Sequence, residues 1–172
     1  MANYSIVTDI DRCVGCHACT VACKAINDVP VGRFWNRVLR VGPTPKVGGS
    51  GQYPDVEMYF LNVSCQHCAD PECIKVCPTG ASFKAEDGTV QVDHEACIGC
   101  EACIQACPYG APKSIEAEGI VRKCDGCIEW LKNGLQPACS GACSTRCLQF
   151  VDAEEVAGTE GYVRDIAVLP SS

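Results

Sequence analysis

Aromatic residues make up only 6% of this 172-residue chain, and methionine and tryptophan occur twice each. No run of 18 apolar residues exists, which excludes a self-sufficient membrane-spanning helix. The opening M-A-N-Y-S-I-V-T-D-I-D has neither the basic start nor the apolar stretch of a secretory signal. Positive charge is also short: 14 Lys and Arg against 21 Asp and Glu leave a net charge of −7, with the positive side chains scattered. Nucleic acid is therefore a poor partner, because its phosphates require a basic face. A P-loop, a G-x-G-x-x-G turn and the C-x3-C-x2-C spacing of radical-SAM enzymes are all missing, as is any paired set of His and carboxylate. Nothing here reads as a catalytic constellation.

What the chain has instead is cysteine, 17 in all. These belong to the 47% counted as hydrophobic, and without them the apolar side chains are too few for a generous core. Disulfide frameworks of this density belong to short secreted domains. Here the number is odd and the spacings are tight, which argues for metal. Bound inorganic clusters would then supply part of the folding energy, so the apoprotein is expected to fold poorly.

The clearest stretch is Cys97 to Pro108, C-I-G-C-E-A-C-I-Q-A-C-P. Its spacing, C-x2-C-x2-C-x3-C-P, is the ligand run of a bacterial two-cluster ferredoxin. Three thiolates can wrap one cubane. The fourth lies about 5.4 Å further along a helical turn and can reach a second cluster.

The run recurs. Cys13, Cys16, Cys19 and Cys23 match Cys97, Cys100, Cys103 and Cys107, with Gly15 matching Gly99 and Asp9 matching Asp93. Ile6 to Asp9 and Val90 to Asp93 read as the short strands before each copy. A second pair of copies consists of Cys65, Cys68, Cys73, Cys77 and Cys124, Cys127, Cys139, Cys143. Their spacings are x2-x4-x3 and x2-x11-x3, and the longer insert reads as a short helix stopped near Asn133-Gly134. Phe34–Val41 and Val56–Ser64 alternate as strands, while the Gly- and Pro-rich stretch from Val41 to Asp55 between them reads as a loop. The segment after Phe150 shows no strong periodicity.

Seventeen cysteines thus resolve into four quartets and one spare, Cys147. The shared x3 step implies cross-ligation, and four [4Fe-4S] clusters follow. The ligand sets are Cys13, Cys16, Cys19 and Cys143; Cys23, Cys124, Cys127 and Cys139; Cys65, Cys68, Cys73 and Cys107; and Cys77, Cys97, Cys100 and Cys103. Motifs two and three are contiguous, so motifs one and four must pair across them. The fold class expected is α+β, with one ferredoxin-like lobe (residues 51–117) inserted in another (residues 1–50 plus 118–172).

Zinc is the bland competitor, but zinc sites pair two dyads across a long gap rather than place three cysteines within seven residues. C-V-G-C-H at Cys13–His17 matches a c-type haem attachment, yet Cys19 and Cys23 follow at once and the copy has Glu101 in place of His17. With the cysteine ligands complete, His17, His67 and His94 read as polar neighbours rather than Rieske-type ligands. Cys147 reads as a small buried apolar group before a substitute ligand. Lys84, Arg122 and Lys123 are candidates for raising a cluster's potential through local positive charge.

The order of the runs, together with C-x-H-C-A-D-P-E-C, C-P-Y-G-A-P and K-C-D-G-C, resembles the DmsB-like iron–sulfur subunits of dimethyl sulfoxide reductase-type molybdopterin oxidoreductases. The resemblance covers Tyr4 to about Phe150. It departs where Pro is absent after Cys23 and Cys143, and where Cys147 stands in place of the usual Ala. It implies a non-catalytic electron-transfer subunit serving a large catalytic subunit with molybdenum or tungsten bis-molybdopterin guanine dinucleotide. It further implies a possible quinol-oxidising membrane anchor, and a location in the cytoplasm or, by co-export with a twin-arginine-signal partner, the periplasm. The rival reading is a free-standing polyferredoxin.

Overall fold

The computed structural model describes residues 4–152. Its secondary structure is small and mixed: four two-stranded antiparallel ribbons and five short helices. β1 (Tyr4–Thr8) pairs with β8 (Leu148–Asp152), joining the two ends of the described chain, with Thr8 opposite Leu148. β2 (Arg37–Pro45) pairs with β3 (Val56–Val63), β4 (Ser82–Lys84) with β5 (Val90–Val92), and β6 (Lys113–Ile115) with β7 (Ile120–Arg122).

The helices follow the cysteine spacing. α1 (Ala18–Ile26) carries Cys19 and Cys23, one turn apart. α2 (Glu72–Lys75) carries Cys73, α3 (Ala102–Ala106) carries Cys103, and α5 (Ala138–Gly141) carries Cys139. α4 (Ile128–Lys132) is the helix expected in the motif-four insert, and it ends at Asn133. α1 packs on α5, and α2 packs on α3.

Sulfur supplies much of the interior. One buried group consists of Cys19, Cys139, Cys147 and Leu148, with Ile6, Val38, Cys13 and Cys143 against it. Another is Cys23, Val29 and Trp35, with Cys124 alongside. Each of three ribbons buries one valine almost completely: Val7, Val90 and Val121. The segment after α1 is clamped by Lys24, whose ammonium donates to the carbonyls of Val29, Pro30 and Arg33 at 2.7–3.0 Å.

One expectation needs correction. The stretch from Val41 to Asp55 is not a loop throughout, because β2 runs on to Pro45 across an irregularity between Val41 and Thr44. β2 has a single partner strand, so Pro43 and Pro45 can sit in it without breaking a second ladder. β2 also begins at Arg37, later than the alternation suggested. The segment after Phe150 is described only as far as Asp152.

Candidate iron–sulfur sites

The approach to α1 and to α3 is made by left-handed backbone. Gly15 and Gly99, the glycines between the first two cysteines of motifs one and three, have φ of +67° and +65°. His17 and Glu101, one residue beyond the second cysteine, sit at +62° and +61°. The chain therefore curls back around a centre and turns its cysteines inward. At Gly99 a methyl group would lie 2.3 Å from the carbonyl oxygen of Gly119, so this position accepts only glycine.

Two small cavities collect complete quartets. One is lined by Cys77, Cys97, Cys100 and Cys103. The other is lined by Cys13, Cys16, Cys19 and Cys143, with Cys147 as a fifth thiol. Among the described residues, no three His, Cys, Asp or Glu side chains converge on a point that a single metal ion could fill. A zinc ion would need sulfurs converging at about 2.3 Å. Each cavity presents at least four thiols, the donor set of an iron–sulfur cubane.

Mutual electrostatics extend the grouping to the other two sets. Burial raises the Cys73 thiol, Lys123 opposes this, and Cys65, Cys107 and Cys68 raise it further. Burial pushes Cys23 up to about 12, with Cys139 and Cys127 adding to the rise. Cys139 also stands at about 12, through burial and then Cys127 and Cys19. Cys124 is raised well above its ordinary value, by burial first and then by Cys65. Cys103 is raised to about 11 by burial and then by Cys73. These thiols resist ionisation chiefly because they are buried, and then because they face one another; a metal that takes up thiolate removes that cost.

Hydrogen bonds converge on the sulfurs. Cys77 Sγ accepts from the Ser82 amide at 3.4 Å and lies 3.7 Å from the Thr79 hydroxyl. Burial would raise this thiol, but these donors together bring it down to about 7. The equivalent Cys143 accepts from the Leu148 amide at 3.5 Å and lies 3.7 Å from Thr145. Cys97 accepts from Val121 N–H, Cys107 from Ala111 N–H, and Cys19 from the buried Asn62 amide at 3.4 Å.

The basic candidates differ. Lys123 is buried, with 5% of its surface exposed, and its ammonium donates to the carbonyls of Val90 and Cys124. Lys84 reaches the carbonyls of Cys68 and Ala69 beside motif two. Arg122 lies over the Trp35 ring and pairs with Glu118. Among the histidines, His17 and His94 are exposed. His67 accepts the Val90 amide through Nδ1, and burial followed by Lys123 holds it down to about 3, hence neutral. Cys147 is buried as expected, 4% exposed, but its sulfur lies 3.4 Å from that of Cys143.

The sequence reading missed Asn62, whose role depends on a strand 43 residues from Cys19. It also passed over Thr79 and Thr145. The signal for these was present, because both motifs read C-x-T after the fourth cysteine.

Short ribbons, short helices that carry cysteines and cavities lined by thiols define a ferredoxin-type 4Fe-4S protein. A family model for a 4Fe-4S dicluster domain matches residues 56–153, and a second, for a 4Fe-4S binding domain, matches residues 10–29. The sequence is 40% identical over 174 residues to the B subunit of anaerobic dimethyl sulfoxide reductase of Escherichia coli (strain K12), covering 98% of this protein and 82% of the relative. The corresponding B subunit of Haemophilus influenzae is also 40% identical, over 99% of this protein and 84% of its own length. Thiosulfate reductase electron transfer subunit PhsB of Salmonella typhi is 42% identical over 154 residues, 89% of this protein and 78% of that one. The protein belongs to the DmsB family of dimethyl sulfoxide reductase-type iron–sulfur subunits, and its function is electron transfer within an oxidoreductase.

Proposed function

We propose that the protein is a four-cluster relay, itself without a catalytic site, that carries electrons to or from a molybdopterin catalytic subunit. The ligand sets proposed are Cys13, Cys16, Cys19, Cys143; Cys23, Cys124, Cys127, Cys139; Cys65, Cys68, Cys73, Cys107; and Cys77, Cys97, Cys100, Cys103. Bound [4Fe-4S] groups would supply one-electron chemistry. The protein's part is to hold them in order, keep water from the buried sulfurs, and set their potentials through amide, hydroxyl and ammonium groups.

The observation that carries the proposal is the order in which the quartets neighbour one another. Cys103 is raised by Cys73, Cys124 by Cys65, and Cys139 by Cys19. These links string the four sets in one line, from the Cys97 run through the Cys65 and Cys124 runs to the Cys13 run. The two exposed cysteines, Cys100 and Cys16, belong one to each end set. A line with an exposed cysteine in each end set suits a conductor between two partners.

The two-lobe arrangement is part of the same proposal. Its support is that α1 packs on α5 and β1 on β8, while α2 packs on α3. The partner at one end is proposed to be a large subunit with molybdenum or tungsten bis-molybdopterin guanine dinucleotide. At the other end the partner proposed is a membrane anchor subunit that exchanges electrons with quinol. No described helix is long and apolar enough to cross a membrane, so any anchoring would come from that other subunit. The compartment follows the partner: the cytoplasm, or the periplasm by co-export with a twin-arginine-signal subunit.

Anaerobic purification from the native source tests this. A stable complex with a much larger subunit containing molybdenum or tungsten supports it. A monomer that exchanges electrons freely with unrelated enzymes would overturn the subunit reading.

A further inference from the structure

Cys77 and Cys143 occupy the same place in the two copies of their motif, and their surroundings can be compared atom by atom. Each sulfur faces the hydroxyl of the threonine two residues on, at 3.7 Å in both. Each accepts the amide five residues on, from Ser82 at 3.4 Å and from Leu148 at 3.5 Å. The glycine that shapes the first loop, Gly80 with φ +71°, is matched by Arg146 at +53° in the second, so the backbone turns the same way. One difference touches the sulfur. Where the first loop has buried Ala81, the second has Cys147, also buried, with its sulfur 3.4 Å from that of Cys143.

Cys147 is not simply filling space. It lines the same cavity as Cys13, Cys16, Cys19 and Cys143, so five thiols face a space that needs four ligands. Cys143 is the cross-ligating member, and its x3 step from Cys139 repeats that of the other three runs. A sulfur that ligates a cluster is a thiolate with no proton to give, so in this pair only Cys147 can donate, and an S–H is a weak donor. An acceptor within its reach is the Cys143 sulfur.

We propose that Cys147 is a positioning residue for the end cluster, its S–H donating to the Cys143 sulfur a hydrogen bond that the equivalent Cys77, which faces Ala81, lacks. Hydrogen bonds to ligand sulfurs stabilise the more negative, reduced state and raise the reduction potential. The cluster held by Cys13, Cys16, Cys19 and Cys143 is thereby poised higher than its ligand set alone would make it. This inference rests on the ligand assignment proposed above.

The test uses the full-length protein in its native complex, with Cys147→Ala and Cys147→Ser compared with the unaltered protein. Iron and sulfide are counted first, and each cluster's midpoint is then followed by EPR-monitored redox titration. The expected result is unchanged iron in both variants, a more negative midpoint for one cluster in C147A, and recovery of that midpoint in C147S, whose hydroxyl is the stronger donor. An unchanged midpoint in C147A overturns the proposal. Loss of about four irons in C147A also overturns it, because Cys147 would then be a ligand. Too few irons in the unaltered protein would instead defeat the four-cluster reading, so the two failures are distinguishable. Should C147A prove unstable, C147S with an unmoved midpoint and C147V with a lowered one still carry the comparison; a midpoint common to all the variants and the parent would sink it.

Discussion

The backbone N–H of Asp9 donates to the carbonyl of Cys147 at 2.8 Å. That bond extends the ladder in which Thr8 stands opposite Leu148, and so fastens the first cysteine run to the end of the fourth. The outer motifs thus meet through a ribbon made from the two ends of the described chain, while motifs two and three lie in continuous sequence between them.

If the outer and inner motifs are separate folding units, damage to the ribbon should be selective. Val7 is 2% exposed, and Val7→Asp would bury an unpaired carboxylate at a cost of several kcal/mol, more than about 3. The expected outcome is loss of about half the iron, with the clusters of motifs two and three retained. Val90→Asp should do the reverse. Equal loss from both variants would speak for one cooperative unit. Iron analysis with EPR of the surviving clusters reads the difference.

The glycines of the cluster loops should differ in tolerance. Gly99→Ala would place a methyl group 2.3 Å from a backbone oxygen, whereas Gly15→Ala would meet the Phe60 ring at 2.6 Å. An aromatic side chain can turn away; a carbonyl fixed beside β7 cannot. Both variants carry left-handed strain of roughly 1 kcal/mol, to which G99A adds overpacking of about 1–3 kcal/mol. G99A is expected to release iron from one cluster on mild heating well before G15A does.

Asn62 is buried, and its amide donates both to Asn36 Oδ1 at 2.6 Å and to Cys19 Sγ at 3.4 Å. Asn62→Ala removes both bonds and leaves the Asn36 oxygen without that donor, a loss of about 1–3 kcal/mol. The midpoint of the cluster bound through Cys19 should also fall. A destabilised protein with an unmoved midpoint would show that Asn62 serves the hairpin alone.

Lys123 is the one candidate for electrostatic tuning that is buried, and it opposes the rise of the Cys73 thiol. Lys123→Met keeps the length of the side chain and removes the charge. One cluster, that of Cys65, Cys68, Cys73 and Cys107, should shift to a more negative midpoint in a redox titration, with some loss of stability from the freed carbonyls of Val90 and Cys124. The exposed pair Lys132–Glu129 should leave every midpoint unchanged when Lys132 is replaced.

The turns and helices at the cysteine runs were legible because the spacing is local: an x2 or x3 step fits a turn or one helical pitch wherever it occurs. The strands before motifs one and three, and the helix that ends at Asn133, were legible for the same reason. What could not be read is what depends on packing between distant segments. Asn62 reaches Cys19 only because β3 lies beside motif one, and Lys123 becomes a buried charge only because β5 closes over it with Val90. The glycines and prolines from Val41 onward suggested a loop, but part of that signal marks an irregularity in an edge strand. Cys147 was legible as a spare cysteine, while its nearness to Cys143 needed the loop to be folded.

The central claim is four cubanes in one polypeptide, and the most direct measurement is iron and acid-labile sulfide per polypeptide in complex prepared without oxygen. The account predicts about sixteen of each, all in cubane form by EPR. A value near eight in an intact preparation, leaving half of the quartets without iron, would contradict it.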